Sequence, residues 1–216
     1  NEASFGVRVL PTYNFEKAEV IVSFGADFLG NWLNADYAKQ YVTARNPKNG
    51  KMAKHYQLES TLSLTGSNAD NRIQIKPSEQ KGLLSNLFSA LNGATADRRI
   101  AKLTNDLKNN IGKSIVVCNS NDTEVQTLVN AINNKLGNYE NTISLSNPSY
   151  LKQGHDVDVA TLIKEMNAGK IDALITYSVN PSYTLQNAEA YNSGLAKVGL
   201  TITTSLYDDE SAQKMM

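Results

Sequence analysis

Cysteine is almost missing from this chain of 216 residues: Cys118 stands alone. That excludes an intrachain disulfide, and with it any iron–sulfur cluster or structural thiolate zinc site, each of which needs several cysteines. Cys118 closes the apolar run over 114–118, where it reads as a small buried hydrophobe. Histidine is equally scarce. His55 and His155 lie far apart, and neither has a metal-ligating neighbour at a useful spacing. No charge of one sign dominates, since 21 Lys and Arg balance 21 Asp and Glu. Without a block of like charge there is no electrostatic footprint for nucleic acid or an anionic membrane surface, and no nucleic-acid partner is expected. No run of about 20 apolar residues exists to cross a bilayer, so no direct membrane insertion is expected, and the start lacks the basic, apolar and small-residue succession of a secretory signal. GxGxxG and GxSxG spacings are absent too. Ser178, in TYSVNP, has neither the second glycine nor an evident base.

What is present is architecture. KAEVIVSFGADF, from Lys17 to Phe28, is a β-branched apolar run of strand length that ends at Gly25-Ala26-Asp27, as a buried parallel strand entering a crevice loop does. KIDALITYSVNP, from Lys170 to Pro181, repeats the syntax and ends its loop at Asn180-Pro181. The repetition predicts two related α/β lobes. Strands 19–24 and 173–177 are expected to be central and buried, with their loops facing one another near a shared cleft.

Between them the chain alternates. An extended segment over 5–10 is ended by Pro11, and a helix over about 34–45 is capped by Asn34, with Tyr37, Ala38, Tyr41 and Val42 inward. A strand follows over 55–58, then a short one over 73–75. Ser78 opens a helix striped with Leu83, Leu84, Leu87, Phe88 and Leu91. The spacing of Ile100, Leu103, Leu107 and Ile111 predicts a helix over 96–110. Strand 114–118, a helix capped by Asp122 and strand 142–145 come next. A helix capped by Asp156 or Asp158, strand 173–177, a helix over 187–197 and strand 200–206 complete the series. Strands alternating with helices of about a dozen residues make βαβ units and a mainly parallel sheet. The Asn92-Gly93 stop places the lobe boundary near Ala94, giving lobes over 1–93 and 94–216. The abrupt start and the polar DDESAQK end suggest a piece of a longer polypeptide.

Ligands of such sheets bind beyond the carboxyl ends of the strands, which singles out Gly25, Asp27, Glu59 and Asn180. Gly25 permits close approach of a ligand or a neighbouring segment. Asp27 can accept bonds from a ribose or from loop amides, and Glu59 can take ribose hydroxyls or cap the loop from Ser60 to Gly66; the sequence leaves both pairs of roles open. Asp208-Asp209-Glu210 reads as a solvated segment after the last strand.

KAEVIVSFGADF, KHYQLESTLSLTGSNADNRIQIKPSEQ, NNKLGN and ALITYSVNPSY together resemble the central α/β lobes of the molybdopterin oxidoreductases, whose two lobes enclose a bis-molybdopterin guanine dinucleotide. More narrowly, FEKAEVIVSFGADFLGNWL, ESTLSLTGSNADNRI and SLYDDESA look like the cofactor-free part of the large iron–sulfur subunit of bacterial alternative complex III, a quinol:electron-acceptor oxidoreductase. Where catalytic relatives carry Asp-Pro-Arg, this chain has Glu59-Ser60-Thr61. Gly25-Ala26-Asp27-Phe28 keeps the glycine of the family's GANP but not its proline. Losing that arginine removes a cation that would face a pyrophosphate.

The resemblance thus implies two Rossmann-like lobes of the molybdopterin-oxidoreductase kind serving as a structural domain without its own cofactor. Iron–sulfur clusters would lie elsewhere in the parent chain, the other subunits of a membrane-bound respiratory complex would be the partners, and the location would be the periplasmic side of the bacterial inner membrane. The alternative implied is a fragment of a catalytic molybdoenzyme that holds molybdopterin guanine dinucleotide between Gly25, Asp27, Glu59 and Asn180.

Overall fold

In the computed structural model, which describes residues 1–149 and 154–215, the chain divides into the units Asn1–Gln153 and Gly154–Met216. The first unit runs α1 (Glu2–Phe5), β1 (Leu10–Tyr13), β2 (Val20–Phe24), α2 (Asp36–Ala44), β3 (Lys54–Glu59), α3 (Leu64–Ser67), β4 (Asn71–Gln74), α4 (Gln80–Leu91), α5 (Ala101–Lys108), β5 (Ser114–Cys118), α6 (Thr123–Lys135) and β6 (Ile143–Ser149). The second runs α7 (Asp156–Asn167), β7 (Ala173–Thr176), α8 (Pro181–Thr184), α9 (Ala188–Leu195) and β8 (Leu200–Thr203).

A four-stranded parallel sheet in the order β4-β3-β2-β5 carries the first unit. Every residue of β2 and of β5 is buried, as in a parallel strand covered on both faces. Alternation sends Val20, Val22 and Phe24 to one side, where they meet Leu83, Leu84 and Leu87 of α4, Leu103 and Leu107 of α5, and Val125, Val129 and Ile132 of α6. Ile21 points to the other side, into a layer with Phe15, Phe28, Tyr37, Tyr41, Ile115 and Val117. Phe15 and Phe28 stack there at 4.5 Å between ring centres.

The cap read at Asp122 holds, its Oδ1 accepting from Glu124 at 2.8 Å and Val125 at 3.4 Å. At α2 the cap position is Ala35, and Asn34, one residue earlier, accepts through Oδ1 from the Asp36 amide at 3.0 Å. At α7 the cap is neither aspartate, because His155 Nδ1 accepts from the Asp158 amide at 3.1 Å. Val42, expected inward, is exposed, since the buried stripe of α2 is carried by Tyr37 and Tyr41 alone. The helix expected over 96–110 contracts to α5. Asp97 binds both the backbone amide and the guanidinium of Arg99, and the Ile100 amide bonds to the Asp97 carbonyl, so the residues before α5 are held in a turn. Pro11, expected to end an extended segment, lies inside β1, which tolerates it as an edge strand paired only with β6.

Two larger expectations change. The boundary expected near Ala94 falls instead between Gln153 and Gly154, because β5 pairs with β2 along its whole length and α4 packs on α6, tying both sides of position 94 into one core. Strand 173–177 is not a central buried strand: among the described residues β7 pairs only with β8, parallel, and Ile175 is 69% exposed. The core of the second unit is Met166, Tyr191 and Leu195, with Leu174 packed against it, so the alternate residues of β7 face away from that core.

Candidate functional site

In sequence β3 follows β2 and β4 follows β3, all to one side; β5 then returns to the opposite side of β2. The carboxyl ends of β2 and β5 thus flank the point where the strand order reverses, which is where open α/β sheets bind ligands. A crevice of about 390 Å³ opens there, walled by the residues that follow β2, β3 and β5 and by the start of α4. Gly25, Asp27 and Glu59 all border it. The strand-end rule therefore brings three of the four singled-out residues to one place.

Gly25 is required by its backbone. Its φ is +71°, and a Cβ would sit 2.8 Å from Asn119 Oδ1. The neighbouring segment, and not a ligand, uses the room its missing side chain leaves. Asp27 turns inward as well: Oδ1 accepts from the Thr65 amide at 2.9 Å and the Thr65 hydroxyl at 2.6 Å, while Thr65 Oγ1 accepts from the Leu29 amide at 2.9 Å. The crossing of these two loops is thereby fixed.

Glu59 is 5% exposed and saturated. Oε1 accepts from Arg72 Nε at 2.6 Å and from the Ser63 amide at 3.2 Å; Oε2 accepts from Ser63 Oγ at 2.6 Å and Gln57 Nε2 at 3.1 Å. Four donors meet the roughly four lone-pair sites of a carboxylate. Burial pushes its pKa upward, and the bonds from Ser63 and Arg72 outweigh that, so the group is held below the ordinary glutamate value. Ser63 Oγ also accepts from the Gly66 amide at 2.9 Å, and Gly66 passes so close that a Cβ would collide with Glu59 Oε1. Of the two roles open to Glu59, its bonds are those of the loop cap.

Reading the sequence missed Arg72, Gln80, Asn119 and Trp32. Gln80, at the start of α4, donates through Nε2 to the Phe24 carbonyl at 2.9 Å, to Cys118 Sγ at 3.0 Å and to Asn119 Oδ1 at 3.3 Å, bridging β2 and β5 at their ends. Burial pushes the Cys118 thiol up to about 11, so it is an inert packing group at neutral pH. Asn119 was within reach of inference, since it directly follows a strand that was correctly delimited. Arg72 was not: its partner Glu59 lies one strand away, and the pairing needs the β3–β4 register of Leu58 with Ile73.

Beneath the crevice, the face of β3 that bears Glu59 continues as Gln57 and His55, both fully buried. His55 Nδ1 lies 3.1 Å from the Tyr41 hydroxyl, which donates to the Asn68 carbonyl at 2.9 Å. Among the described residues, Nε2 of His55 and Oε1 of Gln57 have no partner within bonding geometry. Burial depresses the His55 pKa to about 4, so the imidazole is neutral at physiological pH.

Asn180 belongs to the second unit and is occupied there. Its Nδ2 donates to Glu210 Oε2 at 2.7 Å, and its Oδ1 accepts from Ser211 Oγ at 2.7 Å. The Asp208-Asp209-Glu210 run is accordingly part of the fold; Asp209 Oδ1 accepts the amides of Ser211 and Ala212. Among the described residues no three His, Cys, Asp or Glu side chains converge as a metal set, and no helix is long and apolar enough to cross a membrane.

In comparisons with known proteins, no family model matches the chain and no curated protein matches it significantly.

Proposed function

We propose that the chain is a structural, cofactor-free α/β domain with a Rossmann-like, molybdopterin-oxidoreductase-like scaffold, part of a respiratory quinol-oxidising electron-transfer complex on the periplasmic face of the bacterial inner membrane. The resemblance of the quoted segments supplies the family and the setting. One structural observation supports the loss of the cofactor: Glu59, where catalytic relatives begin Asp-Pro-Arg, is consumed by Arg72, Ser63 and Gln57, and no lysine or arginine is among the described residues lining the crevice. Arg72 is spent on the chain's own carboxylate.

These residues do not fit a pyrophosphate-bearing dinucleotide. Two carboxylates border the crevice, and the bridging amide of Gln80 is turned toward Phe24, Cys118 and Asn119. A missing charge-assisted bond to a buried phosphate forfeits about 1.5–3 kcal/mol. In the complex the domain would dock other subunits, with electrons carried by iron–sulfur clusters outside it. Isothermal titration of the chain with guanine nucleotides should show nothing tighter than about 1 mM, and the full-length protein should contain no molybdenum or pterin. Stoichiometric molybdenum, or micromolar nucleotide binding abolished by Glu59→Ala, would replace this reading with the catalytic molybdoenzyme.

A further inference from the structure

The crevice at the ends of β2, β3 and β5 has a chemical character that goes beyond a lost cofactor site. Its charges are committed internally: all four acceptor positions of Glu59 are taken, and Asp27 Oδ1 is held by Thr65, with Oδ2 lying against Gly30. Among the described lining residues an anion would meet two carboxylates and no cation, and a cation would find Glu59 already neutralised by Arg72. Among the described residues, what remains without a bond to another described residue is neutral and of both polarities. Asn119 Nδ2 is a donor, Gln80 Oε1 an acceptor, and the hydroxyls of Ser60 and Thr61 are either.

The apolar lining is equally specific. Trp32 borders the crevice, its ring steadied by Tyr13 at 5.4 Å and Tyr37 at 5.9 Å between ring centres. Ile75 and Pro77 also line it. A ring with vicinal hydroxyls on its rim and C–H groups on its face answers both sets: each hydroxyl gives and takes one bond, and the face packs on aromatic and aliphatic carbon. The volume, about 390 Å³, lies at the small end of the range of ligand pockets, roughly 300–1,000 Å³. We infer that this crevice binds an uncharged sugar ring, either free or as a nucleoside, and discriminates against the phosphorylated form.

The inference is independent of the respiratory-complex assignment, and its test separates the two. The 216-residue chain is titrated calorimetrically with glucose, glucose 6-phosphate, guanosine and guanosine 5′-monophosphate. The expected result is binding of glucose, guanosine or both with a dissociation constant below about 1 mM, and at least about tenfold weaker binding of the matching phosphate. Binding of glucose alone assigns a carbohydrate, binding of guanosine alone a nucleoside, and binding of both the ring itself. Asn119→Ala, and separately the double change Ser60→Ala with Thr61→Ala, should each weaken the ligand at least about fivefold. The serine and threonine are exposed and their side chains make no bond among the described residues, so that variant keeps the fold. No binding of either neutral compound at about 10 mM overturns this inference and leaves the proposed function standing. A phosphate that binds as well as its parent, or better, overturns this inference, and the proposed function falls with it where guanosine 5′-monophosphate binds at micromolar concentration and Glu59→Ala abolishes that binding.

Discussion

Acidification from pH 7 to pH 5 should destabilise the first unit through one residue, His55. Its ring is fully buried between Phe28, at 5.3 Å, and Tyr41, at 5.4 Å between ring centres, and burial depresses its pKa to about 4. Arg45 opposes the charged form, while Gln57, Asp70 and Glu59 favour it. In the unfolded chain the imidazole titrates near 6.5. The folded state therefore binds a proton less readily, and stability is untouched above about pH 6.5 and falls as the pH drops toward 4. The full span of about 2.5 units is worth about 3.4 kcal/mol, of which about 2 kcal/mol is lost by pH 5. Against a stability of roughly 5–15 kcal/mol this is large. Trp32 is the one tryptophan and belongs to the aromatic layer of the first unit, so its fluorescence reports that unit alone during urea unfolding at pH 7, 6 and 5. In His55→Phe the pH dependence between 6.5 and 5 should vanish. The substitution leaves Tyr41 its bond to the Asn68 carbonyl, so the variant keeps that partner satisfied. The window lies above those of Glu59 and Asp70, whose carboxyls are held below their ordinary values. A wild-type stability that is flat from pH 7 to 5, or a slope that survives in His55→Phe, would refute the assignment.

The two strands once expected to be equivalent separate under one substitution. Ile21→Asp places an unpaired charge in the centre of the sheet and should unfold the first unit, a cost of several kcal/mol, seen as loss of Trp32 fluorescence change on urea addition. Ile175→Asp, at a side chain 69% exposed, should shift stability by no more than about 0.5 kcal/mol; an unfolded Ile175→Asp would mean that this face is covered. At the crevice, Arg72→Ala should cost about 1.5–3 kcal/mol by stripping a charge-assisted bond from buried Glu59, and adding Glu59→Gln should recover part of that cost. A double-mutant cycle with no coupling would show that the pair contributes nothing.

Strand positions in the first unit were legible because period and length agree. The run over 19–24 is dominated by Val20, Ile21, Val22 and Phe24, too short for a helix and stopped by a glycine, and β2 is buried at each of its positions. The same reasoning failed at β7 for an identifiable reason. An apolar run states that a strand forms, but burial depends on what covers it, and β7 has one strand partner and one packed face within its unit. The lobe boundary failed similarly. Asn92-Gly93 does stop α4, with Gly93 at φ +104°, yet a helix stop is not a domain limit when the next strand returns to pair with β2. Local punctuation was readable; long-range closure was not.

The site divides along the same line. Gly25, Asp27 and Glu59 were identified by where they sit, just beyond parallel strands, and that logic carries over to Asn119 at the end of β5. Their roles were not identifiable, because each role is set by a partner from another element: Asn119 fills the space at Gly25, Thr65 from α3 takes Asp27, and Arg72 from β4 takes Glu59. The arginine that the resemblance would place after β3 makes the same point in reverse. A cation is present near this strand end, reached from β4 and not from the residues after β3, and it points at a carboxylate instead of into the crevice. Counting charges along the chain sees an acidic strand end; counting them in space sees a neutral pair with every lone pair occupied. It follows that the crevice is selective by what its walls have left over, neutral amides and hydroxyls, and that returning a phosphate site to it would require freeing Arg72 by removing Glu59 as well as adding a cation.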